Sequence, residues 1–228
     1  MIVNMAPVKD TVKGKVLYLL ILVILNQFIY PITQLGGIFL ILYQLLYASM
    51  FAAGIYVASD NRRHLLITAS TAIIFLAFGI WYALDPTHTW KILATYLALI
   101  PFQATVILVL VRYIFLTRVV NRDVLYAATS VYLLLGAIFV PIYGLLETLW
   151  PGSFVDNAAP GAPVAWQQLL YYSYTSLTTM GYGDVLPVSW WARSLATAEA
   201  VIGVLYIAIL MGRLVGLYAQ ETAAEKPR

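Results

Sequence analysis

Long apolar runs, separated by short polar segments, dominate the pattern of hydrophobic and polar positions along this chain. Each run has about 20 residues, which is the helix length that crosses a hydrocarbon core of about 30 Å. Glu199 is the one charged residue inside these runs. The pattern predicts an all-α membrane protein with six transmembrane helices. The six runs are Val16–Leu35, Ile38–Ser59, Leu65–Leu84, Ile92–Val111, Val124–Leu146 and Ser194–Gly212.

The amino-acid composition supports a membrane protein. Of the 228 residues, 62% are hydrophobic and 10% are charged, whereas soluble domains carry roughly one quarter charged residues. The chain has no cysteine, so cysteine usage says nothing about a redox compartment. The net charge of +3 does not indicate a nucleic-acid partner, because the basic residues lie where membrane topology places them.

The distribution of Lys and Arg predicts the orientation in the membrane, because loops on the cytoplasmic side are enriched in basic residues. If the N-terminus is cytoplasmic and six helices alternate, 11 of the 13 basic residues are cytoplasmic. Lys91 and Arg193 are the two that fall outside. We therefore expect a multi-pass protein of the cell (plasma or inner) membrane with both termini in the cytoplasm.

The N-terminus resembles a signal peptide, because three lysines precede the apolar run Val16–Leu25. The residues that follow, Asn26-Gln27-Phe28, provide no small-residue cleavage site. We therefore expect an uncleaved first span.

The pattern of the chain changes after the polar linker Arg118–Asp123. Beyond the fifth apolar run, the segment Pro151–Pro163 is rich in Pro, Gly and Ala and predicts an exposed loop. Trp166–Thr178 has the length of a helix but is too short and too polar to span a membrane. Irregular backbone at membrane depth is tolerated where protein buries it or where it lines a water-filled path. A short re-entrant helix followed by a turn therefore indicates a pore.

The segment Thr179-Met180-Gly181-Tyr182-Gly183 contains the residues that carry chemistry. A cation that leaves water needs oxygen atoms in place of its hydration shell, and rings of backbone carbonyls suit K⁺. Glycine adopts positive φ without steric cost, so Gly181 and Gly183 allow successive carbonyls to face one axis. Thr179 adds a hydroxyl at the inner end, and Tyr182 is expected to point away toward aromatic residues of the short helix.

Two flanking features favour cations at the same place. The short helix ends at Thr178, and its C-terminus carries a partial negative charge of about half an elementary charge. Asp184 follows the segment directly and is expected to ring the outer mouth, where it concentrates cations.

The run Thr179–Asp184 resembles the selectivity filter of the tetrameric pore-loop potassium channels, whose pattern is T-V-G-Y-G-D. The resemblance covers residues 124–217, and it implies a homotetramer that conducts K⁺ within the lipid bilayer. Carbonyls of Thr179, Met180, Gly181 and Tyr182 are implied to bind the ion, with Gly183 completing the filter. The implied division is 1–121 as a four-helix transmembrane bundle, 122–218 as the pore domain with a re-entrant pore helix between helices 5 and 6, and 219–228 as a short cytoplasmic tail.

The chain departs from this family's pattern at two positions. Met180 replaces the usual valine, which leaves the coordinating carbonyl in place but puts a longer and more flexible side chain behind it. Thr175 stands where the family often has a glutamate that pairs with the outer aspartate. Tyr171 or Tyr172 is therefore expected to bond Asp184 or Tyr182 instead, with Thr175 and Thr178 supporting the filter.

The last apolar helix contains the candidate gating residues. Gly203 falls where many family members carry a hinge glycine, and Met180 offers a second gate at the filter. Glu199 is an ionisable residue in an apolar helix and is thereby a functional candidate. Its alternatives are to stay protonated or to hydrogen-bond to the pore helix. Arg193 is expected at the outer interface, paired with Asp184 or Glu147.

The first four helices lack the charges of a voltage sensor. The fourth run has no basic residue between Lys91 and Arg112, and the first three contain no Asp or Glu. Steep gating requires three to four charges per subunit. We therefore expect a channel that is not conventionally voltage-gated.

Other function classes fit the sequence less well. A potassium-uptake transporter carries four degenerate repeats, and this chain has one complete filter motif. A two-pore channel requires two filters. An intramembrane enzyme or receptor needs paired carboxylates, a Ser/His pair or a metal set, and the two histidines, His64 and His88, fall on opposite sides of the membrane. The sequence predicts no enzyme, no cofactor other than the permeant K⁺, and no cytosolic ligand-binding domain in this chain.

Overall fold

The computed structural model describes residues 14–36, 38–58, 62–84, 88–117 and 119–224. Some positions used in the sequence interpretation lie outside the described residues, namely Lys9, Lys13, Arg118, Lys226 and Arg228. Within the described ranges the chain is mostly helical. The elements are α1 Lys15–Ile29, a 3₁₀ helix Tyr30–Leu35, α2 Ile38–Ala58, α3 Arg62–Leu84, α4 Thr89–Leu116, α5 Arg122–Leu149, β1 Phe154–Asp156, α6 Trp166–Leu177, β2 Val185–Pro187 and α7 Trp190–Ala224.

Five segments of the described chain are long and apolar enough to cross a membrane: Lys15–Leu35, Arg62–Trp81, Thr89–Leu116, Arg122–Leu149 and Trp190–Ala219. Helix α2 contains a shorter apolar segment, Leu42–Ala58. The prediction of a predominantly helical membrane protein is confirmed at this level.

Helices α2, α3 and α4 meet at a cluster of aromatic rings. The ring of Phe51 on α2 lies 4.8 Å from that of Phe75 on α3 and 3.9 Å from that of Phe102 on α4, measured between centroids. Gly54 makes this contact possible, because a Cβ at that position would lie 2.9 Å from the Phe102 ring. Aromatic rings therefore form the contact between these three helices, within a core that also contains many aliphatic side chains.

Helix α5 lies at the centre of the subunit, with α1, α4, α6 and α7 packed against it. Its start is fixed by Asn121, whose side chain accepts a hydrogen bond of 2.9 Å from the backbone N–H of Val124. Asp123 in the first turn adds a negative charge where the helix dipole favours one. The helix therefore begins at the polar linker that the sequence marks as a boundary.

Arg213 connects the C-terminal half of α7 with the end of α4. Its guanidinium donates to the carbonyl oxygens of Ile114 at 3.0 Å, Phe115 at 2.9 Å and Thr117 at 2.7 Å. The last carbonyls of a helix have no partner within the helix, so Arg213 satisfies groups that α4 leaves open. Its positive charge also complements the negative end of the α4 dipole.

The expectation of an exposed loop over residues 151–163 is wrong at its start. Phe154–Asp156 forms β1, which pairs antiparallel with β2, and Val155 lies opposite Leu186. Ser153 and Phe154 are buried. The sequence showed no alternating pattern here because each strand has three residues. Helix α7 continues to Ala224, because alanine and glutamate favour helix.

Candidate functional site

The residues that the sequence singles out form one loop between α6 and β2. Thr178, Thr179, Met180, Gly181, Tyr182 and Gly183 are all exposed in the single chain. Met180 and Tyr182 have 56% and 64% of their side-chain surface exposed. A loop this apolar is exposed in water only at a cost, which indicates that something else surrounds it in the working protein.

The backbone of this loop alternates between positive and negative φ. Gly181 has φ 54° and Gly183 has φ 81°, as expected, and Thr179 has φ 59°. Thr179 is the one described residue other than glycine with positive φ, and sequence reasoning missed it. Left-handed backbone at a non-glycine residue costs on the order of 1–3 kcal/mol and is concentrated at functional sites.

The alternation determines where the carbonyl groups point. In a regular strand successive carbonyls face opposite ways, whereas a change in the sign of φ at every second residue lets them face one side. Among the described residues, no donor reaches the carbonyl oxygens of Thr179, Met180, Gly181 or Tyr182. Four backbone oxygens in sequence are therefore available to a cation.

The end of α6 anchors the inner part of the loop. The carbonyl of Thr175 accepts hydrogen bonds from the N–H groups of Met180 at 2.8 Å and Gly181 at 3.1 Å, and that of Ser176 accepts one from Thr179 at 3.0 Å. Thr175 thus contacts the filter through its backbone carbonyl, whereas its hydroxyl donates to the backbone carbonyl of Tyr172. The hydroxyl of Thr178 donates to the carbonyl of Tyr174 at 2.6 Å.

Of the two tyrosines suggested as filter supports, Tyr171 contacts the filter. Its ring is parallel to that of Tyr182, with centroids 6.4 Å apart and an interplanar angle of 3°. A hydrogen bond from the Tyr171 hydroxyl lowers the pKa of Asp184 below its ordinary value. Tyr172 is buried instead and packs against Tyr143 and Phe154. The outer carboxylate therefore stays ionised to lower pH than a free aspartate.

Asn157 fixes the outer end of the loop, and sequence reasoning missed it. Its side-chain amide donates to the carbonyl of Gly183 at 3.1 Å, and its backbone N–H donates to the carbonyl of Asp184 at 2.8 Å. The position follows directly after β1, so only the unrecognised pairing of β1 with β2 could have indicated it. The carbonyl of Gly183, the last residue of the predicted filter, is occupied by this bond.

Glu199 and Gly203 of α7 both contact α6 on the side away from the loop. The buried Glu199 carboxyl group lies within hydrogen-bond distance of the Tyr143 and Ser173 hydroxyls. A Cβ at Gly203 would lie 2.4 Å from the carbonyl oxygen of Leu177. Close packing against the pore helix therefore explains this glycine, and its role as a hinge stays a prediction.

Arg193 does not make the expected pair with an acidic residue. Its guanidinium donates to the carbonyl of Pro187 at 3.2 Å and lies over the Trp190 ring. Asp184 bonds Tyr171 and the N–H of Val185, and the Glu147 carboxylate accepts from the N–H groups at 152 and 154. Both acids are satisfied elsewhere. Across the described ranges, no group of three or more His, Cys, Asp or Glu residues is placed to hold a metal ion.

Comparison with known families matches the part of the chain that contains this loop. A family model described as an ion channel matches residues 127–220. These residues include α6, the loop, β1 and β2, with most of α5 and α7. The match does not extend into the first four helices.

Three relatives are similar to the same part of the chain. The inward rectifier potassium channel Kirbac3.1 of Paramagnetospirillum magnetotacticum is 30% identical over 95 residues, covering 42% of this chain and 30% of the relative. The two pore potassium channel c of Oryza sativa subsp. japonica is 36% identical over 84 residues, covering 34% and 18%. The potassium channel protein kcv of Paramecium bursaria Chlorella virus 1 is 31% identical over 84 residues, covering 36% and 84%.

The extent of these matches differs between the relatives. The chain spans less than a third of the first two relatives but most of the third. No solved structure matches the chain significantly. The relatives and the matching family are ion channels and not enzymes, which confirms that part of the sequence interpretation.

Proposed function

The chain belongs to the family of pore-loop potassium channels, and on that premise we propose that it conducts K⁺ passively through a homotetrameric pore in a cell membrane. The observation that carries this proposal is the loop backbone, with positive φ at Thr179, Gly181 and Gly183. One chain supplies one strand of oxygens, and a filter of this type needs four strands to surround the ion. Carbonyls of Thr179, Met180, Gly181 and Tyr182 bind K⁺, and Asp184 concentrates cations at the outer mouth.

The proposed topology has six spans. Five of them are the long apolar segments, and α2, the second helix in chain order, is the additional span. Helix α6 enters the membrane from the outer side and returns through the filter loop. Both termini are cytoplasmic, as the distribution of basic residues favours. In this arrangement the C-terminus of α6 points to the middle of the membrane, where its dipole favours a cation.

The first four helices do not act as a conventional voltage sensor in this proposal. Arg112 lies near the end of α4, and α4 carries no ladder of arginines. One elementary charge that crosses 100 mV contributes about 2.3 kcal/mol, so a subunit with at most one such charge responds weakly. The gate is then the filter around Met180, the bundle of α7 helices bending at Gly203, or both.

Recordings from the purified protein in planar bilayers test this function. With opposed K⁺ and Na⁺ gradients, the reversal potential is expected to follow the K⁺ gradient. Tyr182→Asp is expected to abolish the preference, because the ring stacked on Tyr171 is lost and a charge enters the filter. Tyr56→Phe serves as the matched control on an exposed tyrosine of α2. A wild-type reversal potential midway between the equilibrium potentials of K⁺ and Na⁺ contradicts the proposal.

A further inference from the structure

A buried polar cluster joins α5, α6 and α7 behind the filter loop. Glu199 and Ser173 are fully buried, as is Tyr143. The Tyr143 hydroxyl lies 2.5 Å from Oε2 of Glu199, and Oγ of Ser173 lies 2.5 Å from Oε1. The same Oγ lies 2.6 Å from the backbone carbonyl oxygen of Gly136 on α5. Three helices therefore meet at one carboxyl group.

The number of protons in this cluster decides its charge. The Ser173 hydroxyl has one proton but lies within bonding distance of two oxygens. The carbonyl oxygen of Gly136 has no proton, so this contact requires the proton of Ser173. The contact between Ser173 and Glu199 then requires a proton on the carboxyl group. Tyr143 supplies its own proton to the other carboxyl oxygen, so all three short contacts are satisfied only when Glu199 is neutral.

The surroundings of Glu199 agree with a neutral acid. The titratable groups that face it are phenols, namely Tyr143 on α5 and Tyr172 and Tyr174 on α6. Among the described residues, the side chains that hydrogen-bond to the carboxyl group are hydroxyls and not cations. An ionised carboxylate buried without a cation is costly, whereas a protonated one both donates and accepts.

The same face of α7 holds α6 at two points. Glu199 and Gly203 are four residues apart and so lie on one side of α7, and their partners Ser173 and Leu177 are four apart on α6. Between these partners lies Thr175, whose carbonyl holds the N–H groups of Met180 and Gly181. A shift of α6 relative to α7 therefore moves the filter backbone directly.

We propose that Glu199 is an uncharged positioning residue, which donates to Ser173 and accepts from Tyr143 and thereby holds the selectivity filter in its conducting geometry. The inference rests on the proposed function, because its main consequence concerns ion selectivity and open time. It also predicts the protonation state of the Glu199 carboxyl group, which can be measured without recording ion currents.

Glutamine is the decisive substitution. In Glu199→Gln the amide N–H donates to Ser173 and the amide oxygen accepts from Tyr143, so selectivity and open time are expected to stay at wild-type values. Glu199→Leu has a similar size but leaves both hydroxyls unpaired. We expect its open time to shorten by about tenfold and its K⁺/Na⁺ permeability ratio to fall, while the oligomer mass remains unchanged.

Infrared spectroscopy tests the proton itself. The carbonyl band of a protonated carboxylic acid is expected in wild type and is lost in Glu199→Gln. Glu147 provides the matched control, because its two oxygens accept from two backbone N–H groups at 2.8 and 3.0 Å. Both of these bonds use the Glu147 oxygens as acceptors, so we expect Glu147→Gln to remove no such band. An unchanged band region in Glu199→Gln overturns the neutral carboxyl group.

The electrical results separate this inference from the proposed function. A wild-type protein without K⁺ preference refutes the function, whereas a K⁺-selective wild type with an unaltered Glu199→Leu refutes the positioning role. A Glu199→Gln variant as impaired as Glu199→Leu also refutes it. If Glu199→Leu does not assemble, Tyr143→Phe and Ser173→Ala each remove one bond to Glu199, and Ser173→Ala also removes the bond to the Gly136 carbonyl. Shortened open times in these two variants support the inference, and wild-type behaviour in both overturns it.

Discussion

Helices α5 and α7 flank the filter loop and are similarly apolar, but they differ greatly in burial. Their apolar segments have mean hydropathies of 1.9 and 2.2, and the buried share is 56% for α5 and 6% for α7. Helix α5 has neighbours on several sides within the subunit. On α7 the buried positions are Ala192, Glu199 and Gly203, which lie on one narrow stripe at helical spacing.

The difference shows what hydropathy measures and what it does not. Hydropathy places both helices in a membrane, whereas burial within one chain shows which faces that chain can cover itself. The rest of α7 exposes large apolar side chains along its length, among them Val201, Val204, Leu205, Met211 and Val215. In the proposed tetramer, neighbouring copies cover part of this surface, and lipid and the water-filled path meet the remainder.

The largest expected effect is a cross-link between copies through α7. The chain has no cysteine, so each introduced cysteine acts alone. Single cysteines along 201–215 are expected to give oxidised dimers at positions that recur about every 3.6 residues, measured on denaturing gels. Ile73→Cys is the control, because Ile73 is 67% exposed on α3 and is expected to face lipid. Equal cross-linking at Ile73 on α3 and along α7 contradicts the expectation that α7 faces neighbouring copies while α3 faces lipid.

A second effect is expected where α7 meets α6. Gly203→Ala places a methyl group 2.4 Å from the Leu177 carbonyl oxygen, which forces the helices apart. We expect a loss of about 1–3 kcal/mol in stability, seen as earlier thermal dissociation of the oligomer in detergent. Gly216→Ala is the matched control, since a Cβ there meets nothing within 4 Å. Wild-type stability of Gly203→Ala contradicts the close packing.

A smaller effect is expected at the polar attachment of α7 to α4. Arg213→Gln removes the charge and most of the donors that reach the carbonyls of Ile114, Phe115 and Thr117. The expected loss is about 1–2 kcal/mol, since the bonds are charge-assisted but partly accessible to solvent. Thermal unfolding measures it, and Arg213→Lys is expected to be intermediate because it keeps the charge but not the fork. If Arg213→Gln is as stable as wild type, the bonds between Arg213 and α4 do not stabilise the protein.

The smallest effect concerns acid sensitivity at the loop between the two helices. The Tyr171 hydroxyl lowers the pKa of Asp184, so the outer negative charge persists as the pH falls. Tyr171→Phe removes this bond and raises the pKa, so the conductance is expected to drop at a higher external pH than in wild type. Asp184→Asn is the control and is expected to lose this pH dependence. Single-channel conductance against external pH decides the matter.

The sequence predicted the helical membrane class and most helix boundaries, because apolar runs of about 20 residues leave few alternatives. Helix α6 was predicted as Trp166–Thr178 and runs from Trp166 to Leu177. The two three-residue strands were missed, since so short a segment carries no measurable alternation. Contacts between residues that are far apart in the sequence were also missed. Nothing in the sequence pairs Asn157 with Gly183 or Arg213 with Ile114, because these contacts follow from the packed helices and not from local patterns.

The position of the filter loop was predicted from its motif, but its supports were predicted only in part. Two glycines indicated positive φ at 181 and 183, whereas Thr179 adopts the same region because the carbonyls at the end of α6 hold its neighbours there. Within one chain Arg193 makes neither of the acid pairs proposed for it, because Asp184 accepts from Tyr171 and the N–H of Val185, and Glu147 accepts from backbone N–H groups. Thus residue type indicates which chemistry is present, and packing decides which partner takes part.

The two-stranded sheet of β1 and β2 connects the outer end of the filter with an external loop. Asn157 holds the outermost filter carbonyl and the backbone of Asp184, and it lies at the base of a loop whose residues 158–162 are exposed. Any displacement of the filter's outer end must therefore pull on this loop, within the same subunit. A small fluorophore on Ala159 shares that displacement while remaining outside the ion path. In the proposed tetramer, this loop thus makes the outer end of the filter observable from solution.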